Sequence, residues 1–492
     1  MKGDIMAAIK AAPRVHVLGF AGQEGRAVLD YLIDKVEHLS AHENTSRDGF
    51  MSRFLSFSDA YTREEAEAMA DRFITSGIDL HFDDEYLSGV NDGDVVIAPQ
   101  AYRRHPANAS VIEKEEMGDI SIFQAIEVAF DIMKCRSIGV TGTAGKSTTV
   151  THIKNILAAS GGRFYFSGND RDNAWDLFAL ESMEENEFAL FEISHRHLMN
   201  LSSGPDIAVI TNIYPHHLDD AGSFDNYIEI KKNLIRYQPA SGSAIVNWGL
   251  LSTGLISDDD TPARLYSFGG PVGASDAYID QDMIKAEAGG GEVDITEVID
   301  LPFSGEHNMM NALGAVMAGL IAGFSPDIIR AGLMAWKPLR YRMEEIYSSD
   351  GFSIINDGKS SDPLATIEAV RSVPDIDVLV MGGVREGAKE GEFTALAAEI
   401  ADRGVRNVIV YGKSRDIVLA DLMKVLQDTG VNVVQSEHHD EAFIGAFEMA
   451  SGGAIVFSPA CQSFDEFKDY RERSEAWNAA AKKFIETNGQ ID

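Results

Sequence analysis

Residues 139–149 read Gly139-Val140-Thr141-Gly142-Thr143-Ala144-Gly145-Lys146-Ser147-Thr148-Thr149. An apolar run leads into this glycine-rich turn, and an amphipathic run that is typical of a helix follows it. Small residues allow the backbone N–H groups of such a turn to point at an anion, and the dipole of the following helix adds positive potential. The segment therefore predicts a phosphate-binding loop, in which Lys146 reaches the β- and γ-phosphates of a nucleoside triphosphate and Ser147 binds Mg²⁺.

The overall charge and composition restrict the class of protein and its partners. The chain has 492 residues and a formal net charge of −35, which argues against nucleic acid or an anionic membrane as a partner. Its length favours about three domains. Because it has only two cysteines, far apart in sequence, a disulfide framework is not expected. The chain has no signal-peptide pattern and no apolar run of membrane length, so we expect a cytoplasmic protein.

The chain opens with the pattern of a strand, a glycine-rich turn and a helix. An apolar run at residues 15–20 includes Gly19. Gly22 and Gly25 follow this run, and a helical pattern comes next. This order predicts the first unit of a Rossmann-like domain. The spacing of the glycines differs from the dinucleotide fingerprint, so an NAD-binding oxidoreductase is the weaker alternative.

Apolar strand candidates alternate with helical runs along the rest of the chain. They fall at residues 94–99, 188–193, 207–213, 244–248, 352–356, 378–381, 408–411, 431–434 and 454–457. A helical run covers residues 308–324, and the glycine-rich stretch 269–291 predicts loops or an exposed hairpin. Alternation of this kind predicts mostly parallel sheets covered by helices. We predict three α/β domains: a Rossmann-like domain at 1–115, a phosphate-loop ATPase-type domain at 116–340 and a Rossmann-like domain at 341–492.

Polar side chains follow two of the central strand candidates. Glu192 ends one of them, and the other leads through Asn212 to His217 and then to a helical run that contains Lys231 and Lys232. Ligands of α/β sheets bind at such strand ends, where carboxylates suit Mg²⁺ and an imidazole suits a second cation. Taken singly, each residue is also compatible with a salt bridge or an ordinary loop histidine.

The order of these motifs resembles that of the Mur ligase family, the ATP-dependent amide ligases of peptidoglycan synthesis. The family's T-G-T-N-G-K-[ST]-T loop is matched at residues 141–148, with Ala144 in place of Asn. Its N-I-x-x-D-H-L-D segment is matched at residues 212–219, with His216 in place of the first Asp. Its G-x-H-N-x-x-N-A-L signature is intact at residues 305–313, and its R-x-E motif is found at residues 342–344.

The C-terminal motifs resemble those of the D-glutamate-adding branch of the family. Residues 356–361 read Asn-Asp-Gly-Lys-Ser-Ser, similar to that branch's N-D-S-K-A-T. Residues 458–467 read Ser-Pro-Ala-Cys-Gln-Ser-Phe-Asp-Glu-Phe, similar to its S-P-A-C-A-S-x-D-x-F. The resemblance spans nearly the whole chain and is weakest before residue 115.

The resemblance implies a set of ligands and residue roles. The enzyme would join D-glutamate to UDP-N-acetylmuramoyl-L-alanine through an acyl phosphate, as a monomer that uses ATP and Mg²⁺. From the charge and the apolar runs described above, we expect it neither to bind nucleic acid nor to enter a membrane. Ser147 and Glu192 would bind one Mg²⁺, and His217 with carbamylated Lys231 would bind a second. The nucleotide would contact Gly142, Thr143, Gly145, Lys146, Ser147, Thr148, Asn308, Asn311, Arg342 and Asp357. The other substrates would contact Gly19, Gly22, Gly25, Asn169, Lys359, Ser361, Ser463 and Tyr470.

Several departures from the family pattern concern the partner substrates. Where the family has G-G-x-x-K, with a lysine facing the amino acid, this chain has Glu386, and Arg385 or Lys389 would have to compensate. His195 replaces a serine after the strand glutamate, and Ala98-Pro99-Gln100 replaces Ser-Pro-Gly. Two alternatives therefore stay open: the same chemistry with L-glutamate or another amino acid, and a Mur-like binding protein that has lost catalysis.

Overall fold

The computed structural model describes residues 4–56, 61–169, 174–215, 221–337, 339–349, 351–385, 388 and 390–488. The chain forms two compact units, Met1–Trp336 and Lys337–Asp492. The first unit contains two β-sheets and the second contains one. In the described part of the chain, no helix is both long enough and apolar enough to cross a membrane.

The first sheet is parallel throughout. Its strands are β1 (Val15–Leu18), β2 (Leu39–Glu43), β3 (Asp79–Phe82), β4 (Val95–Ala98) and β5 (Ser121–Gln124). They lie in the order β3-β2-β1-β4-β5. The helices of this region are α1 (Asp4–Ala11), α2 (Gln23–Leu32), α3 (Arg47–Ser56), α4 (Arg63–Thr75), α5 (Ala109–Met117) and α6 (Ala125–Ile132). Every residue of β1 and of β4 is buried, as expected for a parallel sheet that is covered on both faces.

The second sheet carries the glycine-rich turn. Its strands are β6 (Arg136–Thr141), β7 (Phe164–Gly168), β8 (Phe188–Glu192), β9 (Ile207–Ile210), β10 (Ser243–Asn247), β11 (Arg264–Phe268), β12 (Ala277–Asp280), β13 (Met283–Glu287) and β14 (Glu292–Glu297). Its helices are α7 (Lys146–Ala159), α8 (Leu177–Glu181), α9 (His195–Leu198), α10 (Phe224–Arg236), α11 (Trp248–Ser252), α12 (Glu306–Ala322) and α13 (Pro326–Met334). The strand order is β14-β13-β12-β11-β10-β9-β6-β8-β7, so the ends of β6, β8 and β9 are neighbours. Pairing is parallel except at β12-β13 and β13-β14.

The third sheet forms the second unit. Its strands are β15 (Glu344–Ser349), β16 (Phe352–Asn356), β17 (Ile376–Gly382), β18 (Asn407–Tyr411), β19 (Asn432–Gln435) and β20 (Gly453–Ala460). They lie in the order β15-β16-β20-β17-β18-β19, and only β15 pairs antiparallel. Its helices are α14 (Pro363–Ser372), α15 (Thr394–Asp402), α16 (Arg415–Leu426), α17 (His439–Met449) and α18 (Tyr470–Asn488).

A shared hydrophobic cluster joins the first two sheets into one unit. Phe130 of α6 packs edge-on against Phe191 of β8, with ring centroids 5.4 Å apart. Burial of each such ring contributes about 2 kcal/mol. In addition, the hydroxyl of Tyr31 in α2 donates a hydrogen bond of 2.8 Å to the carboxylate of Glu181 in α8. Residues before and after β5 are therefore packed together.

The predicted α/β class and its parallel sheets are confirmed. The strand predicted at 352–356 has those bounds, and the helix predicted at 308–324 spans Glu306–Ala322. The stretch 269–291 contains the β12-β13 hairpin, one of the two structures expected there. The strands that were not predicted are β2, β3, β5, β7, β11, β14 and β15. The sequences of β2 and β3, for example, are LSAHE and DLHF, which mix apolar and titratable residues and so give no continuous apolar run.

Candidate functional site

The glycine-rich turn connects β6 to the N-terminus of α7. Gly145 immediately precedes α7 and has φ of +79°. A Cβ at Gly145 would lie 2.2 Å from Asn311 Oδ1, and a Cβ at Gly142 would lie 1.9 Å from Thr211 Oγ1. Both glycines are therefore required by close neighbours, and the turn is packed against the end of β9 and against α12.

Polar residues after β9 hold the turn in place. The backbone N–H groups of Thr143 and Ala144 donate to the carbonyl oxygen and to Oδ1 of Asn212, at 3.0 Å and 2.8 Å. The Thr211 hydroxyl donates to the Ala144 carbonyl oxygen at 2.6 Å. Because Asn212 uses the N–H groups of residues 143 and 144, the first turn of α7 remains as the anion-binding part of the loop. That turn contains Ser147 and Thr148, both half-buried.

Two lysine side chains meet at the turn. Lys146 Nζ donates to the carbonyl oxygens of Gly142 and Thr143, each at 2.9 Å. Lys231 of α10 is 1% exposed, and its Nζ donates to Thr141 Oγ1 and to the Gly142 carbonyl oxygen, each at 3.0 Å. Burial, and next the charge of Lys146, hold the pKa of Lys231 well below its usual range. The turn therefore brings the Lys146 side chain and the buried Lys231 amine together where phosphates would bind, and the two amines disfavour each other's protonation.

The neighbouring lysine points elsewhere. Lys232 Nζ forms ion pairs with Asp260 at 3.1 Å and Glu229 at 3.2 Å. Consecutive residues of a helix face directions about 100° apart, so only one of the two lysines can face the turn. Packing selects Lys231, the residue that the sequence analysis named.

Glu192 brings a carboxylate to the same strand ends. Its side chain is 6% exposed, and among the described residues it has no hydrogen-bond or ion-pair partner. It is close enough to Lys231 to raise that lysine's pKa against the effect of burial. The backbone N–H of Asn169 donates to the Glu192 carbonyl oxygen at 3.1 Å. A buried carboxylate without a protein partner fits the oxygen chemistry that Mg²⁺ requires.

Two asparagines of α12 differ in their contacts. Asn311 is buried, and its Oδ1 accepts a hydrogen bond of 3.3 Å from the Thr149 hydroxyl, directly beside Gly145. Asn308 instead donates through Nδ2 to the Ser304 carbonyl oxygen at 2.9 Å. The structure thus brings Asn311 to the turn. His216 and His217 lie outside the described residues.

The glycine loop of the first sheet follows β1. Gly19 has φ of +65°, and a Cβ at Gly25 would lie 2.4 Å from the Gly19 carbonyl oxygen, so both positions need glycine. Gly22 precedes α2, and its N–H donates to the Gly19 carbonyl oxygen at 2.9 Å. The Ala21 N–H donates to the Glu43 carboxylate at 2.8 Å. The turn is therefore tied to the end of β2.

A hydrogen-bonded chain connects this loop with the strand that ends at Glu192. Glu24 accepts hydrogen bonds from the N–H and Nε2 of Gln100, at 3.0 Å and 2.9 Å, and from His197 Nε2 at 3.0 Å. The Ser194 hydroxyl donates to Gln100 Oε1 at 2.5 Å. Gln100 is one of the residues that depart from the family pattern. Its contacts with Glu24 and Ser194 connect the region of the first sheet with that of the second. Glu24 and His197 were not predicted.

The third sheet places a buried carboxylate at the end of β16. Asp357 Oδ2 accepts a hydrogen bond of 2.7 Å from the Ser458 hydroxyl, and its Oδ1 accepts one of 3.2 Å from the Met343 N–H. Burial raises the pKa of Asp357 to about 6, although hydrogen bonds from Ser360 and Ser458 and the charge of Arg342 oppose this. Arg342 and Asp357 are therefore close together, as their assignment to one ligand requires.

The remaining predicted residues of the third sheet lie after β16 and β20. Lys359 Nζ lies 5.1 Å from the ring centroid of Tyr470, the first residue of α18. Ser361 is half-buried, and Ser463 is 3% exposed. Their strands, β16 and β20, are adjacent and parallel, so the two loops emerge at the same edge of the sheet.

Comparison with known proteins assigns the chain to a family. Residues 140–319 match the Mur ligase middle domain. The chain is 32% identical over 394 residues to the UDP-N-acetylmuramoylalanine--D-glutamate ligase of Chlorobaculum parvum, an alignment that covers 77% of this chain and 82% of that protein. The chain belongs to the Mur ligase family.

Other comparisons agree with this assignment. The Mur ligase is 30% identical over 398 residues to the protein of the same name from Chlorobium chlorochromatii, which covers 77% of this chain and 84% of that one. The crystal structure of MurF ligase from Thermotoga maritima in complex with ADP superposes with a TM-score of 0.54 at 17% identity, covering 82% and 97% of the two chains. This last likeness supports the fold.

In the structure of the Mur ligase, Arg385, a cation that was expected to compensate for Glu386, forms an ion pair with a carboxylate. Its guanidinium contacts the Glu392 carboxylate through Nη2 and Nε, at 2.6 Å and 2.8 Å. The charge of Arg385 is therefore offset by a neighbouring carboxylate. Glu386 and Lys389 lie outside the described residues.

Proposed function

We propose that this Mur ligase adds D-glutamate to UDP-N-acetylmuramoyl-L-alanine with consumption of ATP. The observation that carries the proposal is the convergence of Lys146, Lys231 and Glu192 on one phosphate loop. The names of the Chlorobaculum and Chlorobium relatives support the choice of substrates. The ADP of the Thermotoga neighbour is consistent with a nucleotide at the corresponding domain.

The chemistry has two steps. The carboxylate of the substrate's alanine attacks the γ-phosphorus of ATP, so that ADP leaves and an acyl phosphate forms. The amine of glutamate then attacks the acyl carbon, and inorganic phosphate leaves. A carboxylate is a poor electrophile, and phosphorylation converts it into one with a good leaving group. Lys146 and the first turn of α7 stabilise the charge that develops on the transferred phosphoryl group.

Metal binding is part of this proposal. Ser147 and Glu192 would bind one Mg²⁺, and His217 with Lys231 would hold a second. Mg²⁺ would neutralise phosphate charge and orient the oxygens of the reacting groups. Lys231 could serve only after its amine reacts with CO₂ to give a carbamate and a proton. Its buried Nζ, which has no ion pair among the described residues, fits such a change.

The other substrates would be divided between the ends of the chain. We assign residues 1–115 to the UDP substrate, with Gly19, Gly22 and Gly25 near its UDP end, 116–340 to ATP and 341–492 to the amino acid. Asn169 would lie near the sugar substrate, Asn308, Asn311, Arg342 and Asp357 would contact the nucleoside, and Lys359, Ser361, Ser463 and Tyr470 would surround glutamate. The enzyme would act as a monomer in the cytoplasm.

A different amino acid is the second candidate. Glu386 stands where the family has a lysine, and the adjacent Arg385 is paired with Glu392. A site with less positive charge would bind a dicarboxylate less tightly. This alternative keeps the ATP chemistry and changes only the incoming amine.

Phosphate release distinguishes these candidates. The purified protein is incubated with ATP, Mg²⁺ and UDP-N-acetylmuramoyl-L-alanine, and then with D-glutamate, L-glutamate or a panel of other amino acids. We expect release that depends on D-glutamate. Release with another amino acid alone would favour the second candidate, and nucleotide binding without any turnover would indicate a protein that has lost catalysis.

A further inference from the structure

A buried arginine contacts three loops of the third sheet. Arg473 lies in the first turn of α18, and its side chain is fully buried, at 0% exposure. Its Nη2 donates to the carbonyl oxygens of Gly358 at 3.2 Å and Cys461 at 3.0 Å. Its Nη1 donates to the carbonyl oxygen of Gly382 at 3.4 Å. One guanidinium therefore binds three separate segments of the chain.

These segments are the ends of three adjacent parallel strands. Gly358 follows β16, Cys461 follows β20 and Gly382 ends β17, and the strands lie in the order β16-β20-β17. The packing is close, because a Cβ at Gly358 would lie 2.0 Å from Ser474 Oγ and a Cβ at Gly383 would lie 3.0 Å from Arg473 Nη1. The arginine and its helix thus fix the spacing between the loops.

The same loops carry the residues assigned to the incoming amino acid. Lys359 and Ser361 follow Gly358, Arg385 follows Gly382, and Ser463 follows Cys461. A shift of any loop would move its side chains relative to the others. Placement to within about 1 Å decides whether such groups act together.

The hydrogen-bond acceptors that contact Arg473 are backbone carbonyl groups. Among the described residues, no carboxylate forms an ion pair with its guanidinium, which binds only carbonyl oxygens. Arg385, by contrast, is paired with Glu392. A buried charge acts over a longer distance than a solvated one. The Arg473 guanidinium therefore acts on all three loops, which also carry the Glu392 and Asp465 carboxylates.

We propose that Arg473 is a positioning residue that determines amino-acid specificity. Its three hydrogen bonds set the geometry of the loops, and its charge favours an acidic amino acid over a neutral one of the same shape. In this way it offsets the loss of positive charge at Glu386. The proposal rests on the proposed function, since it concerns the amino-acid site of the same reaction.

Steady-state kinetics of three variants test the proposal. Arg473→Lys keeps the charge but cannot donate to three carbonyl groups in the same way, and Arg473→Met removes both. Arg403→Met is the matched control, because Arg403 is a surface arginine of the same unit that pairs with Glu399. For each protein we measure KM for D-glutamate, KM for ATP, the ratio of activity with glutamate to that with glutamine, and the thermal midpoint.

The expected result separates geometry from charge. Both Arg473 variants should raise KM for glutamate by at least about tenfold, the size of a lost hydrogen bond to a charged group, while KM for ATP stays within about twofold. Only Arg473→Met should lower the preference for glutamate over glutamine. Arg403→Met should resemble the wild type in every measurement.

Other results would contradict the proposal. An unchanged KM for glutamate in folded Arg473→Lys and Arg473→Met would overturn it, and so would loss of folding in both, which would show a role in stability alone. If the wild type uses another amino acid, the proposed function is wrong. The comparison of KM values with that amino acid then still tests the positioning role of Arg473.

Discussion

The Nζ atom of Lys231 lies 3.0 Å from the carbonyl oxygen of Gly142. Lys231 lies on α10, and its side chain reaches the loop that follows β6. It therefore acts on the same loop as Lys146, whose Nζ also donates to the Gly142 carbonyl oxygen. Lysines from two helices thus share one acceptor at the centre of the proposed ATP site.

Replacement of Lys231 tests its proposed part in metal binding. Lys231→Arg keeps a positive charge but cannot form a carbamate. We expect turnover to fall by at least about 100-fold, the typical effect of losing one group that stabilises the transition state. Rates of phosphate release at several CO₂ concentrations measure the effect, since the wild type should depend on CO₂ and the variant should not.

Lys232 provides the matched control for this experiment. It is adjacent in sequence but pairs with Asp260 and Glu229 away from the loop. Lys232→Arg should keep turnover within about twofold of the wild type, since arginine keeps the positive charge that pairs with Asp260 and Glu229. Equal losses of turnover in the two variants would show that a disturbance of α10, rather than the loss of the Lys231 amine, lowers turnover.

A Cβ at Gly145 should disrupt nucleotide binding. It would lie 2.2 Å from Asn311 Oδ1, at a backbone φ of +79°. Gly145→Ala should destabilise the fold by about 1–3 kcal/mol and weaken ATP binding by at least about tenfold. Gly161→Ala is the control, because Gly161 also has positive φ, at +72°, but open space around its Cβ. Calorimetric titration with ATP should show a loss of affinity only for Gly145→Ala. Equal affinity in both variants would argue that this loop does not bind the nucleotide.

The contact between Glu24 and His197 should couple the first and second sheets. The residues are 173 positions apart and both are buried, and His197 Nε2 lies 3.0 Å from Glu24 Oε1. A double-mutant cycle with Glu24→Gln and His197→Gln should give a coupling free energy of about 1–3 kcal/mol in denaturant unfolding. Additive effects of the two substitutions would show that the contact does not hold the sheets together.

Buried histidines should make the first unit sensitive to acid. Burial lowers the pKa of His152 to about 3 and that of His42 to about 2. Both are neutral in the folded state, so stability is complete above the unfolded value of about 6.5 and is lost as the pH falls below it. Each should cost about 2 kcal/mol at pH 5 relative to pH 7. In the second unit, the raised pKa of Asp357 acts in the opposite direction, because protonation of this buried carboxylate on acidification favours the folded state.

Substitution of His152 isolates this effect. His152 packs against Phe303, with ring centroids 4.8 Å apart, so leucine retains apolar contact. His152→Leu should show a smaller fall in thermal midpoint between pH 7 and pH 5 than the wild type. Exposed His38, changed to Gln, should leave the fall unchanged. The same fall in all three proteins would contradict a role for His152.

The sequence predicted those features that depend on local pattern. Continuous apolar runs such as that of β16 predicted many of the strands, and the small residues before Lys146 predicted the turn that leads into α7. Strand β2 was missed because His42 and Glu43 are buried polar residues, and their burial depends on partners in other strands. Burial of a polar group can be judged only once its hydrogen-bond partners are known.

Long-range packing explains what the sequence did not reveal. The choice between Lys231 and Lys232 depended on which face of α10 meets β6. Arg473 gains its role only because the ends of β16, β17 and β20 converge, and its three acceptors are backbone atoms. Every residue type has a backbone carbonyl group, so the sequence does not show which residues accept these hydrogen bonds. The motif after β20 gave the one available signal, since Arg473 lies shortly after Tyr470.

The reaction product tests the central claim most directly. Wild-type protein and Lys146→Ala are incubated with ATP, Mg²⁺, UDP-N-acetylmuramoyl-L-alanine and either D- or L-glutamate, and the nucleotide products are separated and weighed by mass spectrometry. We predict that the wild type forms ADP and the glutamate adduct in equal amounts, with D-glutamate only, and that Lys146→Ala forms neither. Absence of the adduct with D-glutamate in the folded wild type, or its formation by Lys146→Ala at the wild-type rate, would contradict the account.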